Sequence, residues 1–496
     1  MDKAGDPTVE EVLRHISPLT KECRALLEKA YAFAKQAHAG QKRYSGEPYF
    51  NHIFAVATLL AEMKMDPVTI AAGFLHDALE DAHLSEEELE REFGKEIVFL
   101  VKGVTKLGKL KYRGLERHTE SLRKFFIAMA QDFRVLIIKL CDRLHNAKTL
   151  EHVPKDKRAR IALETIEIHA RLADRLGMGK LRSQLEDAAF PHAFPEEYKK
   201  VKELLKEQRG ASEKEVEKIH RILQKELAAE GIVRMRTESR LKHLYSLWKK
   251  LEARKMDITK VYDLVALRVI VESVEDCYRA LGIIHRLWRP LPGRIKDYIA
   301  LPKPNGYRSL HTTIFTGDGG IVEIQIRTEA MHQEAEYGIA SHLFYKEEGE
   351  GDGRVRPNRN IAWVEQLLDW QKQVSHSGEF LEHLKMDFFK YRVFVFTPKG
   401  DVIDLPDESS PIDFAYAIHS DIGDHTSGAK VNGKLVPLDT KLKNGDIVEI
   451  ETKKNAAPKS KWLEYAKTTV AKRHIRNFLE DHSPLRRLFG ERGSAA

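Results

Sequence analysis

A chain of 496 residues with 32% charged and 42% hydrophobic residues has the balance of a soluble globular protein, not a disordered or fibrous one, and it is too long for a single core, so about two to four domains are expected. The net charge of +7 favours phosphate-rich partners but is too mild for a protein that coats nucleic acid, and the scattered Cys23, Cys141 and Cys277 argue against zinc ribbons, iron–sulfur ligation and a disulfide framework. No apolar run reaches membrane-spanning length and the first residues lack a secretory pattern, so a cytoplasmic protein without membrane contact is expected, and any metal must use His and carboxylate ligands.

From Thr20 to about Pro191 the apolar residues recur at helical spacing, which predicts an all-α domain. The stretch VTIAAGFLHDALEDAHL reads as one helix, with Val68, Ala71, Ala72, Leu75 and Leu79 on one face and Asp77, Glu80 and Asp81 on another. Carboxylates grouped so closely repel unless they are solvated or surround a cation, and His76 adds a nitrogen donor. In RVLIIKLCDRLHNAKTL, Ile137, Leu140 and Leu144 face a core while Asp142, Asn146 and Thr149 form a polar stripe. His52 follows a proline-anchored turn in GEPYFNHIFAV. Each fragment alone reads as solvated acids and a capped core histidine; the combination, with Asp142 inside an apolar run, is far more specific.

RMRTESRLKHLYSLWKKLEARK predicts a further helix, with Leu241, Leu244, Tyr245, Trp248 and Leu251 as its core face and Lys242, Ser246 and Lys249 as a stripe that, taken alone, is a solvated face. The period then changes to two in VYDLVALRVIVES and GGIVEIQIRT, the strands of a mixed α/β domain. Val322, Ile324 and Ile326 take one face of the second strand, leaving Glu323, Gln325 and Arg327 to line a cleft or solvent. The first strand is apolar apart from Asp263 and Arg268, and a buried ionisable group must be paired or bound to metal. Asp263 and Glu323 therefore suit a metal and base pair, and an Asp–Arg ion pair is the alternative. Between the strands a Pro-Asn-Gly turn presents Lys303, Asn305, Tyr307, Arg308 and His311, which suit phosphate contact and base stacking.

Residues 347–360, rich in glycine and charge, read as a linker. A strand-rich module follows, with an Asn-Gly hairpin signal in AKVNGKLVPL. GAKVNGKL, residues 428–435, nearly fits a phosphate loop, but Leu435 stands where Ser or Thr is required and the setting is a hairpin.

The stretches QKRYSGEPYFNH, HDALED and CDRLHN resemble the HD phosphohydrolase superfamily and, more closely, the hydrolase half of long RelA/SpoT homologues. Residues 200–345 resemble the synthetase domain of the same homologues, which is similar to nucleotidyltransferases, and DFAYAIHSDIGDHTSGAKVNGKL resembles a TGS domain. The resemblance implies a multidomain chain: an all-α HD-type hydrolase domain with connecting helices (1–197), an α/β nucleotidyltransferase-like synthetase domain (198–345), a linker and helix (346–388), a small β-rich TGS domain (389–452) and the start of a helical region (453–496). Long homologues continue into zinc-finger-like and ACT domains, which lie outside these residues.

On this resemblance His52, His76, Asp77 and Asp142 would hold manganese, Glu80 and Asp81 would position or deprotonate water, and Arg43, Asn146 and Thr149 would grip nucleotide or phosphate. Asp263 would bind magnesium, and Glu323 would bind it or activate the guanosine 3′-hydroxyl; Tyr307 would stack on guanine, with Lys303, Asn305 and His311 at GTP or GDP and Arg240, Lys242, Lys249 and Arg268 at the ATP phosphates. The tetrad Arg294-Ile295-Lys296-Asp297 matches the basic form of bifunctional members, so the implied activities are transfer of pyrophosphate from ATP to GTP or GDP, making (p)ppGpp, and its hydrolysis. His419 would contact uncharged tRNA on the ribosome. Tyr44, Ile53 and Asp424 depart from the family pattern. A hydrolase with a nucleotide-sensing pseudo-synthetase and a non-enzymatic ribosome or tRNA adaptor are the alternative readings.

Overall fold

The structure is a computed structural model that describes residues 7–81, 84–108, 132–261, 263–303, 305–317, 320–344, 392–443 and 445–481. The chain divides into two compact units, Met1–Asp369 and Trp370–Ala496. The linker and helix expected over 346–388 lie outside the described residues, as does the helical region beyond residue 481.

The first unit begins with helices: α1 (Lys21–Ala37), α2 (Phe50–Glu62), α3 (Pro67–Leu75), α4 (Ala78–Asp81), α5 (Glu86–Gly108) and α6 (Arg134–Lys148). Asp66 starts α3 by accepting the Thr69 amide, and a proline at the first helical position needs no donor. α2, α3 and α6 bury most of their side chains against one another, and polar groups within them are accordingly held in fixed surroundings. The single helix expected through HDALED is interrupted: α3 stops at Leu75 and four residues of α4 follow separately. His76 Nδ1 donates to the Gly73 carbonyl at 2.8 Å, taking the acceptor that a continuing helix would give to the Asp77 amide. The break turns Asp77 toward His52 and His76.

After α7 (Gly179–Ala193) and the long α8 (Pro195–Ala229) the chain enters a sheet built from β1 (Arg236–Leu241), β2 (Val265–Val271), β3 (Lys296–Asp297), β4 (Leu310–Phe315) and β5 (Ile321–Thr328), with α9 (Leu244–Glu252), α10 (Val274–Leu287) and α11 (Glu329–Tyr337) around it. The order is β1-β2-β5-β4-β3, with β2 and β5 parallel and the other pairs antiparallel. Arg236–Leu241 is thus an edge strand and not the first turns of a helix; the period-two run RTESRL satisfies the outer edge of the wholly buried β2, and helix starts only at Leu244. The core joins Ile219, Leu223 and Leu227 of α8 to Leu267, Val269, Ile324 and Ile326 of the sheet.

The helical part meets the sheet part backbone to backbone. The Ile339 amide donates to the Leu176 carbonyl at 2.9 Å. A Cβ on Gly179 would lie 2.6 Å from the Ala335 carbonyl oxygen and one on Gly177 2.9 Å from that of Asn305, so only glycine permits this approach.

In the second unit β6 (Arg392–Phe396) pairs with β7 (Val402–Pro406), α12 (Pro411–Ile418) follows, and β8 (Thr426–Val431), β9 (Lys434–Val436) and β10 (Val448–Thr452) form a sheet of order β10-β8-β9. Asn432 and Gly433 carry the positive φ angles of the β8–β9 hairpin turn, 52° and 77°. Fully buried Asp413 caps α12 through Ser410 and also accepts the Lys467 and Thr468 amides, which ties the strands to α13 (Thr469–Asp481). No described helix is long and apolar enough to cross a membrane.

Candidate active sites

His52 near the start of α2, His76 at the end of α3 and Asp142 in the middle of α6 converge, each offering an atom within 4.8 Å of the others, and all three are at least 95% buried. His52 Nε2 lies 3.3 Å from Asp142 Oδ1 and 3.7 Å from Asp77 Oδ2, and His76 Nε2 lies 3.1 Å from Asp77 Oδ2. The last approach lacks hydrogen-bond geometry, and buried His76 Nε2 has no hydrogen-bond partner. Because His76 Nδ1 already donates to a carbonyl, a neutral His76 carries its lone pair on Nε2 and aims it beside a carboxylate. Two imidazole nitrogens and two carboxylates facing one point fit a divalent transition metal.

The electrostatics agree. Burial alone raises the pKa of Asp142, but the Lys139 ammonium, 2.6 Å away, outweighs it and holds the carboxyl far below its usual range. Asp77 is likewise lowered against the pull of burial by His76 and His52. Burial disfavours a proton on His76, yet the charge of Asp77 overrides it and raises the pKa to about 9. Two ionised acids in a dry pocket thus demand positive charge at this spot.

Arg43 and Asn146 join this group: Arg43 Nη2 donates to Asn146 Oδ1 and Asn146 Nδ2 to Asp142 Oδ1, both at 2.5 Å. Glu80 follows Asp77 by one turn, its amide on the Asp77 carbonyl, while the Asp81 side chain lies outside the described residues. The Thr149 hydroxyl donates to the His145 and Asn146 carbonyls at the end of α6. Sequence reasoning missed Tyr49, which donates to Asp77 Oδ2 at 2.8 Å, and His145, which touches both Arg43 and His52. Lys139 was legible as a charged residue in the apolar run RVLIIKL, whereas Tyr49 and His145 carry no periodic signal.

In the sheet part Asp263 sits in the turn before β2, not on the strand, and its partners are Lys242, at 2.5 Å, and Lys250; the Asp–Arg pair does not form. Burial would raise its pKa, but the two ammoniums hold it down at about 2. Burial and the nearby Lys250 bring Lys242 down to about 8, since two cations share one anion. Lys249, predicted beside Lys242, instead pairs with Glu252 and lies over Trp248. Glu323 lies 3.3 Å from His311 Nδ1 and accepts from Gln325; against burial, these contacts place its pKa at about 2. His311 reaches Tyr307 at 2.8 Å, and Lys303 lies over the Tyr307 and Tyr298 rings. Asn305 Oδ1 accepts the Tyr307 amide and shapes the turn, whereas Arg308 is turned to Glu334. Among the described residues the cation-sized grouping of His, Asp and Glu atoms is the helical one.

Further along the same face, β5 is covered and does not line a cleft. Arg327 is 1% exposed and shares Glu336 of α11 with Arg268, which also reaches Glu238. Arg240 adds positive charge here, its pKa lowered by burial and by Arg268. His332 Nδ1, 3.0 Å from Arg327 Nη2, must accept, because a guanidinium only donates. Burial first, then Arg327, lowers the His332 pKa to about 4. A histidine that refuses its proton in the folded state destabilises the fold as pH falls, because the unfolded chain binds that proton from about pH 6.5 downward. The melting temperature is therefore expected to drop between about pH 6.5 and 4, and less steeply in a His332→Asn variant. Equal slopes would contradict the neutral assignment.

His419 is exposed at the start of the turn after α12, its Nδ1 accepting the Asp421 amide, and Asp424 accepts from Tyr416.

Comparison with known proteins matches residues 30–179 to an HD domain, residues 239–350 to a region found in RelA/SpoT proteins and residues 393–452 to a TGS domain. The chain is 46% identical to a probable guanosine-3′,5′-bis(diphosphate) 3′-pyrophosphohydrolase of Synechocystis sp., over 92% of this chain and 60% of that protein. It is 45% identical to the guanosine-3′,5′-bis(diphosphate) 3′-pyrophosphohydrolase of Aquifex aeolicus, over 97% and 68% of the two chains. Identity to the bifunctional (p)ppGpp synthase/hydrolase SpoT of Escherichia coli K12 is 44%, over 92% and 65%. The chain thus spans about 60% of the length of the first curated relatives it matches, those of Synechocystis sp. and Myxococcus xanthus. With these matches along most of its length, the chain belongs to the family of RelA/SpoT proteins.

Proposed function

We propose that the chain carries two opposed activities on one nucleotide: the helical site hydrolyses (p)ppGpp to GTP or GDP and pyrophosphate, and the sheet site transfers pyrophosphate from ATP to the 3′-hydroxyl of GTP or GDP. The observation that carries the reading is the convergence of His52, His76 and Asp142 from three buried helices, with Asp77 reaching the same point from the break between α3 and α4. These residues would hold the cation, for which the resemblance implies manganese, and which when bound would supply Lewis acidity to a water and to the departing phosphates. Tyr49 and Lys139 fix the two carboxylates. Arg43 and Asn146 face the nucleotide phosphates, and Glu80 with Asp81 orients the water and takes its proton.

In the sheet site Lys242 and Lys250 against the one Asp263 leave a positive surplus, which the ATP polyphosphate matches, with Arg240 and Arg268 beside it. Asp263 and Glu323 suit magnesium, an oxygen-seeking ion. Tyr307, Lys303, Asn305 and His311 receive the guanine nucleotide, and positioning carries most of the transfer. We place the functional divisions at residues 1–197, 198–345 and 389–452, the enzyme in the cytoplasm, and uncharged tRNA on the ribosome as the partner of exposed His419.

The test resolves nucleotide products. ATP plus GTP with magnesium should yield AMP and pppGpp, and (p)ppGpp with manganese should release pyrophosphate. Hydrolysis without AMP formation would favour a nucleotide-sensing pseudo-synthetase, a reading that the lysine-paired Asp263 supports. Absence of both reactions would leave an adaptor.

A further inference from the structure

The two histidines facing the cation position are fixed by different means. His76 is set by a backbone carbonyl, that of Gly73. His52 has no such partner at its Nδ1; it lies 3.0 Å from Nδ1 of His145, another imidazole, and a pair of imidazole nitrogens leaves open which of them carries the proton. Arg43 decides the matter. Its Nη1 lies 2.8 Å from the same His145 nitrogen, and a guanidinium has no lone pair to offer, so His145 Nδ1 accepts. Since His145 Nδ1 has no proton to give, His52 Nδ1 must donate, sharing that one lone pair with Arg43, and the remaining lone pair of His52 stands on Nε2, which faces Asp142 and Asp77.

From this geometry we infer that His145 is a positioning residue: with Arg43 it holds His52 in the one tautomer that can bind a cation, and so sets the affinity of the helical site for a divalent metal. The inference rests on the metal-site reading above. His145 is half-buried on α6, one turn beyond Asp142, and touches the pocket through His52 and Arg43. Arg43 spans the loop before α2 and the end of α6, since it also bonds Asn146, so the same contact links the phosphate-facing side of the pocket to its metal-facing side.

The test is titration of the intact, metal-free protein with Mn2+, read by the electron paramagnetic resonance of the free ion, without substrate. His145→Leu removes the acceptor and is expected to weaken binding by about 10- to 100-fold, the usual effect of losing a partner that orients a ligand. His145→Asn places an amide oxygen near the position of Nδ1 and is expected to bind within about threefold of the parent. His145→Gln, polar but with its oxygen one bond too far, should behave like the leucine variant and serves if that variant does not fold. Excess Mn2+ should restore hydrolysis in the weakened variants, which a general structural defect would not allow. Parent-like affinity in both the leucine and glutamine variants, or an asparagine variant as weak as leucine, overturns the inference. If the parent itself binds no Mn2+, the metal-site reading fails instead.

Discussion

Replacing Asp77 by alanine is expected to lower hydrolysis of (p)ppGpp by more than about a hundredfold and to leave synthesis from ATP and GTP within about twofold of the parent. Asp77 is the group on which the pocket closes: Tyr49 donates to its Oδ2, and His52 and His76 both face the same oxygen. Without it two imidazoles and Asp142 remain, one carboxylate short, and the Tyr49 hydroxyl loses this acceptor. The fold should tolerate the change, because Asp77 lies at the break between α3 and α4 and its side chain is 17% exposed. Pyrophosphate release with manganese and AMP formation with magnesium measure the two rates separately. Loss of both in this variant would contradict separate sites.

How far the sequence reveals this molecule depends on whether a residue's partner lies nearby along the chain. The alternation of Val322, Ile324 and Ile326 against Glu323 gave the strand and its core face, because a period of two is a local property. The Asn-Gly turn gave the hairpin for the same reason, since few residues besides these adopt two successive positive φ angles. His52, His76 and Asp142 were legible as chemically odd residues in apolar runs, and the pocket brings them together.

What failed was decided by tertiary partners. The helix through HDALED breaks because one side chain takes one carbonyl, a competition invisible to hydrophobic periodicity. RTESRL became strand because the buried β2 needed an edge partner, and a lysine stripe drawn on an assumed helix then picked Lys249 where Lys250 reaches Asp263. Arg327 was placed toward a cleft; it is buried because α11 returns over that face with Glu336, and α11 was not part of the strand's own pattern.

Replacing Glu323 by glutamine is the converse experiment, expected to lower AMP formation by about 10²- to 10⁴-fold while (p)ppGpp hydrolysis persists. Glutamine keeps the size and an oxygen for Gln325, and His311 retains Tyr307, so the sheet should fold unchanged. The low pKa of Glu323, about 2, sharpens what the loss would mean. A carboxylate that weakly basic is poorly matched to take a proton from a ribose hydroxyl near neutral pH, and well matched to stay ionised beside a cation. If its work is to hold magnesium, raising Mg2+ should recover part of the synthesis in the glutamine variant. If its work is proton removal, no Mg2+ concentration will recover it. A variant that retains full synthesis excludes both roles and removes Glu323 from the site, leaving Asp263 with its two lysines as the remaining candidate for the transfer.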